Sequence, residues 1–174
     1  KAAAAGLSTR FCAADIYDLP AALPPGWLGD GYDLVFTSGG AVVWLPDLAG
    51  WASIIAALLR PGGRLLLSDE HPLSACLANQ DGQLQVVDDY FRRQNPYQGS
   101  GWAHFSGGEF ARENKYEFTW PLGDIVTALA RAGLVIDTLT ELPGGPEWQF
   151  GTHQGQMARL PGRYLLLAKK NEQD

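Results

Sequence analysis

Three histidines, two cysteines and a scatter of carboxylates are the groups through which this chain could act on a ligand. His71, in Ser68-Asp69-Glu70-His71-Pro72, is the best-placed neutral base, because it follows an apolar run and would stand at the carboxyl end of a strand. Glu70 beside it would orient the ring or stay solvated. His104 sits among aromatic residues in Gly101-Trp102-Ala103-His104-Phe105, and His153 lies in the last connection of the chain. With Cys12 and Cys76, these residues show no spacing of a zinc site, so no metal is expected. The two thiols make no disulfide framework, and Cys12, in a strand-like stretch, reads as a small buried hydrophobe. Two further sites follow apolar runs: Asp15 after Thr9–Ala14, and Ser38-Gly39-Gly40 after Tyr32–Thr37. A carboxylate accepts hydrogen bonds without donating, and paired glycines let backbone come close to a ligand. Each of these residues also has a plainer use: Asp15 as a turn cap, the glycines as a turn, His71 as a loop residue held by backbone groups.

These residues need elements to hold them. Tyr32–Thr37 and Arg64–Ser68 read as buried strands, the second covered on both faces because its apolar run is continuous. Between them Leu48, Trp51, Ile54, Ile55, Leu58 and Leu59 recur at three- and four-residue intervals behind Asp47, a helix cap, and Pro61-Gly62-Gly63 ends that helix. Thr9–Ala14 reads as an earlier strand. A further helix over Leu122–Leu129 stops at Gly133, before the strand Leu134–Leu139. The last strand, Arg163–Ala168, follows a connection without a helical face, which predicts that it runs antiparallel to its predecessor. Strand–helix alternation of this kind builds a doubly wound α/β sheet, with ligands taken at the carboxyl ends of the strands. Asp15, Ser38-Gly39-Gly40 and Glu70-His71 would share that crevice.

Residues 73 to 120 break the alternation with a polar, aromatic stretch that reads as an insertion over the sheet edge. Tyr90, Trp102, His104 and Phe105 are its candidate substrate contacts. The plainer reading makes most of its aromatics a small core of the insertion itself.

Composition narrows the function. The 174 residues carry 13 Lys+Arg against 19 Asp+Glu, a formal charge of −6, with 46% hydrophobic residues. A domain of this size buries about 70% of its extended-chain surface and holds a core without disulfides or metal. Scattered basic residues in an acidic chain make a poor nucleic-acid binder, and a small neutral or cationic ligand fits better. No apolar stretch approaches the ~20 residues of a membrane helix, so a cytoplasmic setting is expected. The start, Lys1-Ala2-Ala3-Ala4-Ala5-Gly6, reads as the tail of a helix.

Taken together, Ala14-Asp15-Ile16-Tyr17-Asp18-Leu19-Pro20, then Tyr32-Asp33-Leu34-Val35-Phe36, then Leu58-Leu59-Arg60-Pro61-Gly62-Gly63-Arg64-Leu65, resemble in order and spacing the later motifs of class I S-adenosylmethionine-dependent methyltransferases. The resemblance covers nearly the whole chain. It implies a Rossmann-like doubly wound sheet with an antiparallel last strand, N-terminally incomplete, residues 1–174 forming a partial methyltransferase domain. Two strand–helix units, roughly 60 residues, would precede Lys1. It implies S-adenosylmethionine as cofactor, with Asp15 accepting from the adenine amine, the Ile16 N–H meeting the ring, and Thr37, Ser38, Gly39 and Gly40 passing beside methionine and ribose. It implies O- or N-methylation of a small-molecule acceptor by in-line displacement, weakened in the fragment, with His71 as base where a proton must leave. Exposed strand edges would admit a homodimer. Two other readings stand beside it: a non-catalytic Rossmann-like binding or association module, and a nucleotide-cofactor oxidoreductase. A short-chain dehydrogenase needs Tyr-x-x-x-Lys, yet Gln94 follows Tyr90 and Trp120 follows Tyr116 at that spacing. The Gly-x-Ser-x-Gly elbow of an α/β hydrolase is absent.

Overall fold

A computed structural model describes residues 2–100 and 114–172. The chain enters its main sheet at β1 (Tyr32–Ser38), crosses through α1 (Leu48–Leu58) and returns in β2 (Leu59–Glu70), parallel to β1. The helix starts where expected, with the Asp47 carboxylate accepting from Gly50 N–H at 2.9 Å. A one-turn α2 (Pro72–Ala75) leads into two hairpins outside the main sheet, β3 (Leu77–Gln80) with β4 (Gln83–Val86), and β5 (Arg93–Ser100) with β6 (Asn114–Thr119). α3 (Leu122–Arg131) then precedes β7 (Leu134–Pro143), and two one-turn helices, α4 (Glu147–Phe150) and α5 (Gln154–Met157), lead to β8 (Pro161–Lys170).

The sheet order is β1-β2-β8-β7, with β8 antiparallel to both neighbours. The last strand therefore slots between its predecessor and β2, in the direction expected from a connection without a helical face, which holds only one-turn helices. The α/β alternation and the antiparallel last strand agree with the sequence reading. Gly162 allows the slot to close. A Cβ there would lie 1.5 Å from the Gly144 carbonyl oxygen, so only glycine fits beside the β7 exit.

The core lies on one face. Trp51, Ile55 and Leu59 meet Ile125 and Leu129 of α3 above Leu65, Leu67, Leu166 and Ala168 of the sheet, all nearly or fully buried. Burying such side chains contributes about 1.5–3 kcal/mol each. Covering on both faces was expected, and among the described residues the helices cover one. On the other face Leu34 and Phe36 stay 54% and 59% exposed, joined by Val135 and Leu165.

Two readings near the start of the chain need correction. Thr9–Ala14 forms no strand: it runs as exposed chain, with Phe11 77% exposed. A strand exists only in a ladder, and among the described residues β1 pairs solely with β2. Cys12 in consequence is exposed, while Cys76 is the buried thiol. The alanine run makes a single 3₁₀ turn, Ala3–Ala5, before Gly6.

Candidate functional site

Beyond the carboxyl ends of β1 and β2 lies a cavity of about 580 Å³, within the range of small-ligand sites. Gly39 and Gly40 form one lip, with φ of +73° and +78°. A Cβ at either would meet no atom within 4 Å, so left-handed backbone geometry, not crowding, calls for glycine, and the space beside them is open. Thr37 and Ser38 end β1 opposite Leu67 and Ser68, below this lip.

Asp69 holds the lip in place. Its carboxylate, 4% exposed, accepts from Gly40 N–H at 2.8 Å, Val42 N–H at 3.1 Å and Glu70 N–H at 2.7 Å. A buried carboxylate is tolerated because those donors replace its water. Asp69 stood in the sequence as one member of an acidic strand end. Its role depends on a loop 29 residues away, which no local pattern reveals.

His71 is 5% exposed and lines the cavity, but both ring nitrogens are engaged. Nδ1 accepts from Leu73 N–H at 3.1 Å, capping α2, which places the proton on Nε2 facing Glu141 Oε1 at 3.0 Å. Burial lowers its pKa, and Glu141 opposes that shift. Removing a proton from a substrate would require the ring to give up the Leu73 bond. Beside it, Glu70 is pushed up by burial and by Asp69, partly offset by Arg163.

The walls are aromatic. Phe118 and Trp120 stack at 6.2 Å with planes 11° apart, and the Trp120 indole N–H donates to Leu45 O at 2.9 Å. Trp44 and Trp148 line the same space. Arg92 enters from the second hairpin region, its guanidinium fixed to Asp88 at 2.5 Å and to Thr119 Oγ1 at 3.0 Å. Tyr164, on the covered face of β8 and 1% exposed, packs edge-on to His71 with centroids 6.3 Å apart. Burial raises its pKa far above that of a free phenol, so the hydroxyl is neutral. Trp44, Arg92, Trp148 and Tyr164 escaped sequence reading because they lie far apart in the chain and meet only in the fold.

The remaining candidates are placed as follows. Asp15 and Ile16 are not among the cavity lining that Gly39, Gly40, Glu70 and His71 share: Asp15 caps the 3₁₀ turn Ile16–Asp18, accepting from Tyr17 N–H at 2.9 Å, and stays exposed with lone pairs to spare. Ile16 packs against the core, and the Tyr17 hydroxyl bonds Asp47 O at 3.0 Å, fixing this loop to the start of α1. Tyr90 is not among the cavity lining: its hydroxyl accepts from Leu122 N–H at 3.0 Å, at the start of α3. His153 is buried against Gln156 at 2.6 Å. Trp102, His104 and Phe105 lie outside the described residues. Among the described residues no group of His, Cys, Asp and Glu could hold a metal, and no helix is long and apolar enough to cross a membrane.

No protein-family model matches the sequence, and no curated protein matches it. Solved structures do. The chain is similar to an S-adenosylmethionine-dependent methyltransferase from Mesorhizobium loti, with TM-score 0.63 and 22% identity over 97% of this chain and 74% of that one. A Listeria monocytogenes protein provisionally assigned to that class gives TM-score 0.60 and 21% identity over 91% and 68%. An S-adenosylmethionine-dependent methyltransferase from Clostridium acetobutylicum gives 0.58 and 14% over 98% and 68%. At these identities the likeness establishes the fold: a Rossmann-like α/β sheet of the kind those methyltransferases share.

Proposed function

We propose that this chain acts as an S-adenosylmethionine-dependent methyltransferase on a small-molecule acceptor. The observation that carries the reading is the cavity beyond the strand ends, lipped by two left-handed glycines that a buried carboxylate holds in register. In a fold whose ligands lie outside the carboxyl ends of the strands, that is the expected ligand crevice. The fold likeness supports the same class.

The residues present fit the cofactor. Gly39 and Gly40 leave open space where its methionine and ribose would pass, and Asp15 keeps lone pairs for an amine donor beside Ile16. S-adenosylmethionine, when bound, supplies a methyl group on a positively charged sulfur. The protein's task is then alignment and exclusion of water. The Asp69 clamp keeps the glycine lip from collapsing into the cavity, and the aromatic walls hold an acceptor in a dry space. His71, with both nitrogens committed, positions the turn after β2 and the Glu141 segment of β7. The acidic balance of the chain favours a small-molecule acceptor over nucleic acid, and the compartment consistent with two free thiols is the cytoplasm.

Calorimetric titration of S-adenosylmethionine into the full gene product tests the reading. Saturable binding is expected, and Asp15→Ala should weaken it by about tenfold or more, the worth of a charge-assisted hydrogen bond. Absence of any binding heat in the full product would sink the methyltransferase reading.

A further inference from the structure

Trp148 is 82% exposed, yet it lines the cavity. Large aromatic side chains normally bury most of their area, so an indole left in solvent beside a ligand-sized cavity calls for a reason. Its backbone is not loose. The next residue, Gln149, donates through Nε2 to Ser74 O at 3.0 Å and Leu77 O at 3.1 Å, and Phe150 is fully buried against Met157 and Leu77. The one-turn helix α4 is thus pinned at the two residues that follow an indole it presents outward. The cavity's other aromatic surfaces include the Phe118–Trp120 stack and Trp44, and the Arg92 and Lys115 charges at its edge are paired with Asp88 and Glu117.

We propose that Trp148 is a specificity-determining residue whose indole stacks on a planar aromatic acceptor, and that this cavity selects flat rings over saturated ones of equal size. The proposal rests on reading the cavity as the acceptor site. A flat ring matches the walls because offset stacking adds to the gain from burial, and a saturated ring obtains burial alone. Of the charges at the cavity edge, Arg92 and Lys115 are paired and the Glu70 carboxylate is left as a hydrogen-bond acceptor, so a ring bearing a hydroxyl or amino donor is the favoured chemistry.

The experiment uses 2-naphthol and decahydro-2-naphthol, matched in carbon skeleton and hydroxyl position, added without S-adenosylmethionine and followed by tryptophan fluorescence and ligand-observed NMR. Wild-type protein should bind the flat probe about threefold to tenfold more tightly, the range of one aromatic pair. Trp148→Ala should abolish that preference, and Trp148→Phe should retain most of it. Thermal melting should be nearly unchanged in Trp148→Ala, because a solvent-exposed indole holds nothing else in place. Equal binding of the two probes by wild type, or an undiminished preference in Trp148→Ala, overturns the proposal. Because the cofactor is absent, either failure leaves the cofactor titration standing as a separate result.

Discussion

Two side chains at the end of β2 show how one strand terminus organises a site through opposite physical devices. Asp69 is held in the interior by three backbone donors that surround its carboxyl group, and it ties the position of β2 to the glycine lip. His71 stays neutral, because burial disfavours the imidazolium more than Glu141 favours it. The consequence for stability has a definite sign. The ring's ordinary value is about 6.5, and in the fold it lies lower, so the unfolded chain binds the extra proton between the two values. His71 therefore contributes full stability above about pH 6.5, and that contribution declines as pH falls toward the folded-state value. Glu70, whose carboxyl is raised, acts in the opposite sense at lower pH. Melting temperatures followed from about pH 7.5 down to 5 should fall for the wild type. In His71→Asn, whose amide oxygen can still cap α2, they should start lower and stay flatter. A variant profile parallel to the wild type would show that His71 does not titrate in this window.

At the scale of elements, the decisive contact is where β8 enters between β2 and β7. Glycine at 162 lets the strand begin against the Gly144 carbonyl, and Gly144 N–H in turn donates to Met157 O and Leu160 O at 3.0 and 3.1 Å. Gly162→Ala should cost roughly 3 kcal/mol or more in urea unfolding, since the obstruction is backbone that cannot swing aside. Gly155→Ala, in a one-turn helix with nothing within 4 Å of its Cβ, should be neutral or slightly stabilising and serves as the control. A similar loss in both variants would assign the effect to general loop sensitivity. α1 and its cap were legible from Asp47 and the Leu48–Leu59 periodicity, because a helix stores its pattern within one turn of itself. Thr9–Ala14 was misread because its composition suits a strand, and composition says nothing about whether a ladder partner exists.

For the whole molecule, the helices gather on one face of a four-stranded sheet, and β1 leaves an edge and an apolar face open among the described residues. Flat apolar edges of this kind invite pairing. We expect the 174-residue chain to self-associate as its concentration rises, through β1 and the Leu34–Phe36 face. Sedimentation velocity should show the larger species, and Phe36→Glu should suppress it without lowering secondary structure, because residue 36 is 59% exposed. A monomer at all concentrations, or association indifferent to Phe36→Glu, would remove this surface as the contact.

What the sequence determined alone was local or periodic: the α/β class, the helix behind Asp47, the strands over 32–37 and 64–68, the antiparallel final strand, and the glycine pair at a strand end. Each rests on side-chain spacing, turn chemistry or the lack of a helical face in a connection, which need no distant partner. Tertiary structure alone decided that Asp69 grips the glycine lip, that both His71 nitrogens are committed, that Tyr90 serves α3, and that Trp44, Phe118, Trp120 and Trp148 enclose one cavity. Those facts depend on residues far apart in the chain meeting across the sheet. A hydrogen bond or an aromatic wall exists only once folding has set its second half in place.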